Sequence, residues 1–277
     1  MRERIVTRFS RRWFVASLLA AAAWSALLFA QAQPAARPLR LLFIGNSYTY
    51  VNNLPEMFAK LAEAGHQQVE TVMVAPGGWR LQDHWDKGEA PKILHGGRWD
   101  YVVLQEQSLL GTNFLLNGKP RVKNDEVFRP WADKWAAEIS KAGARPVFYL
   151  TWARKATPED QSVLTDAYMR AAKANQALVA PVGIAWAAVR QQYPSIDLFY
   201  SDGSHPSAAG TYLAACTFYA TIFHASPVGL PAKITGHSVN LNTALVEADR
   251  TAVLADLAPG DAQALQAAAW AAWQSIK

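Results

Sequence analysis

Three residues of different types stand where chemistry can be done. Ser47 ends the run Phe43-Ile44-Gly45-Asn46-Ser47, directly after an apolar stretch. Asp202 and His205 lie three apart in Ser201-Asp202-Gly203-Ser204-His205-Pro206, over 150 positions downstream. A serine hydroxyl is a poor nucleophile until a hydrogen-bonded base can take its proton. Histidine exchanges a proton near neutrality, and a carboxylate on its second ring nitrogen sets the tautomer and stabilises the imidazolium. Together these types can carry acyl transfer. Singly, each has a bland reading: Gly-Asn-Ser makes turns, Asp-Gly is an ordinary turn pair, and a histidine before proline can be a solvated loop residue.

Position distinguishes the two readings. Short β-branched or aromatic runs at Leu41–Ile44, Val69–Val74, Tyr101–Leu104, Pro146–Leu150 and, more weakly, Val179–Val182 read as strands. Amphipathic stretches at Leu54–Ala64, Glu126–Lys141, Pro158–Ala177, Ala208–Phe223 and Ala262–Ile276 read as helices. Thr157 is expected to cap the third of these, with Pro158 in its first turn, and Gly143 is expected to stop the second. Strands with little polar alternation imply burial on both faces, hence a parallel sheet between two helical layers. In such a sheet, functional groups gather in the loops outside the carboxyl ends of the strands. Those loops are Gly45-Asn46-Ser47, Pro76-Gly77-Gly78-Trp79, Gln105-Glu106-Gln107-Ser108 and Thr151-Trp152-Ala153-Arg154. The Asp-x-x-His segment precedes the helix at Ala208.

This order of blocks resembles the SGNH (GDSL-like) hydrolases, over about residues 40–224. The resemblance implies a three-layer α/β/α fold with a flavodoxin-like parallel sheet and a single domain over 40–277. It implies Ser47 as nucleophile, His205 as general base and Asp202 as the group that orients it. It also implies an oxyanion hole from the backbone of Ser47 and of Gly77 or Gly78. Two positions depart from the family pattern. Asn46 stands where an aspartate is usual, and the third block lacks the asparagine that normally supplies a side-chain amide. A glutamine carries the same donor on a longer arm; Gln105, nearest the strand end, is the first choice and Gln107 the second. Glu106 reads as a surface carboxylate or a partner of Arg154. Asn46, Trp79 and Trp152 are candidates to contact substrate, as is Trp85, and 113–121 is expected to border the site.

The remaining sequence narrows the function. Hydrophobic residues make up 51% and charged residues 18%, which excludes a disordered chain. One cysteine, Cys216, excludes an internal disulfide and a multi-thiolate zinc site. The histidines show no paired metal spacing and no phosphate-cradling loop is present, so no cofactor or metal is expected. The net charge of +5 is concentrated at the N-terminus; residues 33–277 carry 22 basic and 21 acidic side chains, so no nucleic-acid partner is expected. Residues 1–32 combine five arginines, an apolar run from Trp13 and the exit pattern Ala30-Gln31-Ala32, the three parts of an export signal. Ser10-Arg11-Arg12-Trp13-Phe14-Val15 resembles a twin-arginine motif. A linker follows at 33–39. The expected protein is a bacterial periplasmic or secreted serine esterase acting on a small-molecule or glycan ester, with O-acetylated carbohydrate favoured and no membrane span after cleavage. A lipase or thioesterase of the same fold, an acyltransferase, and a glycan-binding domain without turnover are the alternatives.

Overall fold

Five apolar runs become five parallel strands. The computed structural model describes Met1 and residues 37–277. The expected export signal at 1–32, and the linker as far as residue 36, lie outside the described residues. Residues 38–277 form one unit. In chain order it begins with β1 (Leu39–Ile44), the short α1 (Ser47–Tyr50), α2 (Leu54–Ala64) and β2 (Val69–Val74). Next come α3 (Leu81–Lys87), α4 (Glu89–Gly96), β3 (Tyr101–Leu104), the small hairpin β4 (Leu115–Leu116) and β5 (Lys119–Pro120), and α5 (Phe128–Lys141). Then follow β6 (Arg145–Tyr149), α6 (Gln161–Asn175), β7 (Leu178–Ala180), α7 (Val182–Gln192) and α8 (Ala208–Phe223). The hairpin β8 (Lys233–Asn240) and β9 (Leu245–Asp256) and the final α9 (Pro259–Gln274) complete the chain.

The main sheet runs β2-β1-β3-β6-β7, every pair parallel. Alternation along each strand divides the core in two. Leu41, Phe43, Val103, Val147 and Tyr149 point to the layer holding α2, α7, α8 and α9. Leu42, Ile44, Val102, Leu104 and Phe148 point to the layer holding α3 to α6. This is the three-layer α/β/α arrangement that the strand pattern required. The order reverses between β1, which pairs with β2 on one side, and β3 on its other side. At that switch point the chain leaves both β1 and β3 toward the same end, which brings Asn46, the residue before Ser47, against Gln105.

Several local expectations are corrected. The last strand stops at Ala180 because Pro181 leads directly into α7. Leu39, read as linker, is the first residue of β1. The Thr157 hydroxyl makes no capping bond; Pro158–Asp160 form a 3-10 turn before α6. The buried Asp160 carboxylate instead accepts from the Arg121 guanidinium and the Val122 N–H. Gly143 sits at φ +79° just past α5, a left-handed position that ends a helix readily. The segment from Lys233 to Asp256 forms an antiparallel hairpin. The Glu56 carboxylate on α2 holds it through the His237 backbone N–H and ring.

Candidate active site

The half of the site around Ser47 is built from buried amides. Asn46 caps α1, its Oδ1 accepting from the Tyr48 N–H at 3.2 Å. Its Nδ2 donates to the Trp79 carbonyl and its backbone N–H to Gln105 Oε1, each at 2.8 Å. Gln105 Nε2 donates back to Asn46 Oδ1 and to the Glu106 carbonyl, while Thr49 Oγ1 donates to Gln105 Oε1. A Cβ at Gly45 would collide with the Thr49 hydroxyl and the Gln105 amide, so only glycine fits between strand and nucleophile. The Gly45 carbonyl accepts from Nε2 of the fully buried His84 at 2.7 Å. Burial pushes the His84 imidazole down to about 4, partly opposed by that bond. At neutral pH it is therefore an uncharged donor.

This network corrects two expectations. Gln105 is fully buried, and both ends of its amide are engaged in holding the Asn46 loop, so it offers no donor to a substrate. Asn46 is also buried, with its amide committed to Trp79, Tyr48 and Gln105. Gln107 is the glutamine that borders the pocket. Its Oε1 accepts from the Leu109 N–H and its Nε2 lies 3.3 Å from Ser108 Oγ.

The half around His205 is a self-braced turn. Asp202 Oδ1 accepts from the backbone N–H groups of Ser204 and His205 at 2.9 and 3.0 Å. Its Oδ2 accepts from His205 Nδ1 at 2.5 Å. Gly203, at φ +67°, lets the chain turn between them. Partial burial raises the Asp202 carboxyl, but the His205 ring and the two N–H groups outweigh it and hold the carboxyl below its ordinary range. His205 Nε2 lies 2.9 Å from Ser47 Oγ. The structure thus brings all three residues into one hydrogen-bonded line.

Beneath this turn lies an aromatic stack that the sequence did not reveal. Tyr48 stacks on Trp152 with centroids 4.5 Å apart, and Trp152 on Trp186 at 3.8 Å. Tyr48 Oη bonds Ser204 Oγ, and Trp152 Nε1 donates to the Ser204 carbonyl. Trp152 has no exposed surface, which corrects its expected role at a substrate: it supports the loop carrying His205. Trp85 packs edge-on against Trp135. Trp79 is half-buried, with its ring covered by Lys87 Nζ at 3.6 Å and met edge-on by His84.

A pocket of about 320 Å³ opens over Ser47 and His205, bordered by Gly77, Gly78, Gln107 and Arg154. Gly78 is at φ +72°. Glu106 corrects a further expectation, since it neither reaches the surface nor pairs with Arg154. Its carboxyl is fully buried and accepts from the Gln107 and Leu81 N–H groups. Burial pushes it up to about 7 against those two bonds. The 113–121 segment forms the β4–β5 hairpin, whose Lys119 and Pro120 border a second pocket beyond Arg154. Among the described residues no group of three or more His, Cys, Asp or Glu side chains could hold a metal ion. Among them also, no helix is long and apolar enough to cross a membrane.

His84, Tyr48 and Glu106 are the site residues that sequence reasoning missed or misplaced. Each acts through a contact with a distant segment, and only the adjacency of Tyr48 to Ser47 was a signal available in the chain.

No protein-family profile matches the chain, and no curated protein does. Solved structures do. A protein from Slackia heliotrinireducens put forward as an SGNH hydrolase superposes with a TM-score of 0.56 at 28% identity, over 67% of this chain and 100% of that one. A DUF4886 family protein from Bacteroides uniformis gives 0.60 at 19% identity, over 85% of this chain and 95% of that one. An acetyl-xylooligosaccharide esterase from Geobacillus gives 0.55 at 15% identity, over 66% and 94%. With the parallel five-stranded sheet and its two helical layers, these likenesses establish that the chain has the SGNH hydrolase fold.

Proposed function

We propose that this protein is an exported serine esterase that removes acyl groups, O-acetyl first among them, from carbohydrate through an acyl-enzyme. One observation carries the reading: the unbroken line from Ser47 Oγ through His205 to Asp202 at the switch point of the sheet. Ser47 Oγ attacks the ester carbonyl and passes its proton to His205 Nε2, while Asp202 stabilises the imidazolium. Collapse of the tetrahedral intermediate breaks the ester C–O bond, and the alcohol leaves with the proton from His205. Water then repeats the sequence on the acyl-serine and releases the carboxylic acid. The backbone N–H groups of Ser47 and Gly78, with the Gln107 amide, serve as oxyanion donors, each worth about 3–4 kcal/mol in the transition state.

A small pocket with Gln107, Ser108 and Arg154 on its border suits a short acyl group on a polar carrier better than a long lipid chain. The acetyl-xylooligosaccharide esterase among the structural neighbours supports the same choice. The charged, apolar and small-residue parts of 1–32 support export.

Hydrolysis of p-nitrophenyl acetate tests the reading. The wild type is expected to show a burst of phenol, and Ser47→Ala and His205→Ala to lose at least about 10⁴-fold in kcat. Equally slow turnover by all three proteins would leave a glycan-binding domain instead.

A further inference from the structure

Arg154 borders the pocket over Ser47, yet its charge has no counterpart. One terminal nitrogen donates to the neutral Ser108 Oγ at 3.0 Å. Its Nε is buried without a partner, and among the described residues no carboxylate pairs with it. Glu106, the acidic residue nearest in sequence to Ser108, is turned away toward Gln107 and Leu81. A partly desolvated guanidinium normally has its cost offset by a bidentate anion, for which its planar fork is shaped. The surroundings favour such an anion further. Arg154 is shared with a neighbouring cavity of about 430 Å³, bordered by Lys119, Lys155 and Asp202. Lys155 is shared with Asp197 at 3.3 Å, and Lys119 is exposed. Asp202 is already engaged by His205 and two backbone N–H groups. In a chain whose residues 33–277 are almost balanced in charge, the cations of this cavity lie next to Arg154, the one arginine or lysine bordering the Ser47 pocket among the described residues.

We propose that Arg154 is a specificity residue that binds an anionic group on the substrate, so that the preferred ester is an acylated acidic sugar carrying a carboxylate within one sugar unit of the acyl group. The proposal deepens the esterase reading and rests on it. The second cavity would then receive the next unit of an acidic glycan along the Lys119 side.

Three O-acetylated methyl glycosides test it: a glucuronoside, the glucoside with a neutral C6 hydroxyl, and the glucoside 6-sulfate. A charge-assisted bidentate contact predicts that wild type prefers the glucuronoside over the glucoside by about 10- to 100-fold in kcat/KM, mainly through KM. Arg154→Met should bring that ratio to within about 3-fold of unity, while Arg154→Lys should keep part of it, since charge survives without the fork. A sulfate that matches the carboxylate supports recognition of an oxyanion in general; a sulfate that fails supports the planar acid. Calorimetric binding of the glucuronoside and glucoside to Ser47→Ala supplies a readout independent of turnover. If wild type cleaves neither sugar but Ser47→Ala still binds the acid selectively through Arg154, the esterase reading fails and the anion site stands. Equal treatment of charged and neutral sugars by wild type, or a preference that survives Arg154→Met, overturns the proposal.

Discussion

Ser47 and His205 approach to 2.9 Å from opposite kinds of support. Around Ser47 the partners are buried and remote in sequence: Asn46 and Gln105 are 59 residues apart, and the His84 ring reaches back 39 residues to Gly45. Around His205 the partners of Asp202 lie within three residues, and the Asp202 and His205 side chains are 46% and 36% exposed. One half is a product of the folded sheet, so disturbing it should lower stability. The other is a local turn resting on the Tyr48–Trp152–Trp186 stack, so trimming its exposed carboxylate should lower catalysis and leave the fold standing. The two halves also differ in their response to protons, because burial wins at Glu106 and hydrogen bonding wins at Asp202.

The largest expected effect tests the exposed half. Asp202→Asn keeps an oxygen for the turn but loses the charge behind His205, and should lower kcat by about 10³–10⁴-fold. Its Tm should stay within about 2 °C of wild type, as expected for an exposed site away from the core. A large fall in Tm would break the contrast.

Gln105→Leu tests the buried half. It strands the buried Asn46 N–H and Thr49 hydroxyl and takes away one of the two donors to Asn46 Oδ1. Losses of about 1–3 kcal/mol per stranded group, partly relieved by relaxation, give a destabilisation of about 3 kcal/mol. For a domain of this size that lowers Tm by roughly 6–12 °C. Urea denaturation is the check, and an unchanged midpoint would remove the network from the account.

The smallest effect sharpens the contrast through pH. Glu106 has a folded value raised to about 7, so its protonated form is the one that folding favours. The stability it contributes is complete below the ordinary carboxylate range and is lost as pH rises through about 7. Between about pH 5 and 8 the loss should be about 2 kcal/mol, measured as a falling urea midpoint. Glu106→Gln should flatten that fall. Asp202 has the opposite sign: its contribution is present above the ordinary carboxylate range and fades as pH falls below it. A midpoint in Glu106→Gln that still falls equally across this range would assign the dependence to another group.

Some of this was legible in the chain. Val69–Val74, Tyr101–Leu104, Leu54–Ala64 and Ala208–Phe223 run over the lengths their patterns indicated, since strand and helix periods are local properties. The β8–β9 hairpin escaped because register shifts at Ile234/Thr235 and His237/Val239 blur its alternation. The short α3 and α4 carry too few apolar positions to register as helices. The apolar runs determined a parallel sheet, and the Asp-x-x-His spacing determined a turn that can brace its own histidine, because both depend on neighbours within a few residues. Which glutamine faces the pocket, why Trp152 is a support, where Glu106 finds its partners and why Arg154 meets no carboxylate among the described residues were decided only by tertiary structure. Those are questions of burial and of hydrogen bonds between strands far apart in the chain, and residue type alone does not say which of a side chain's bonds are already taken.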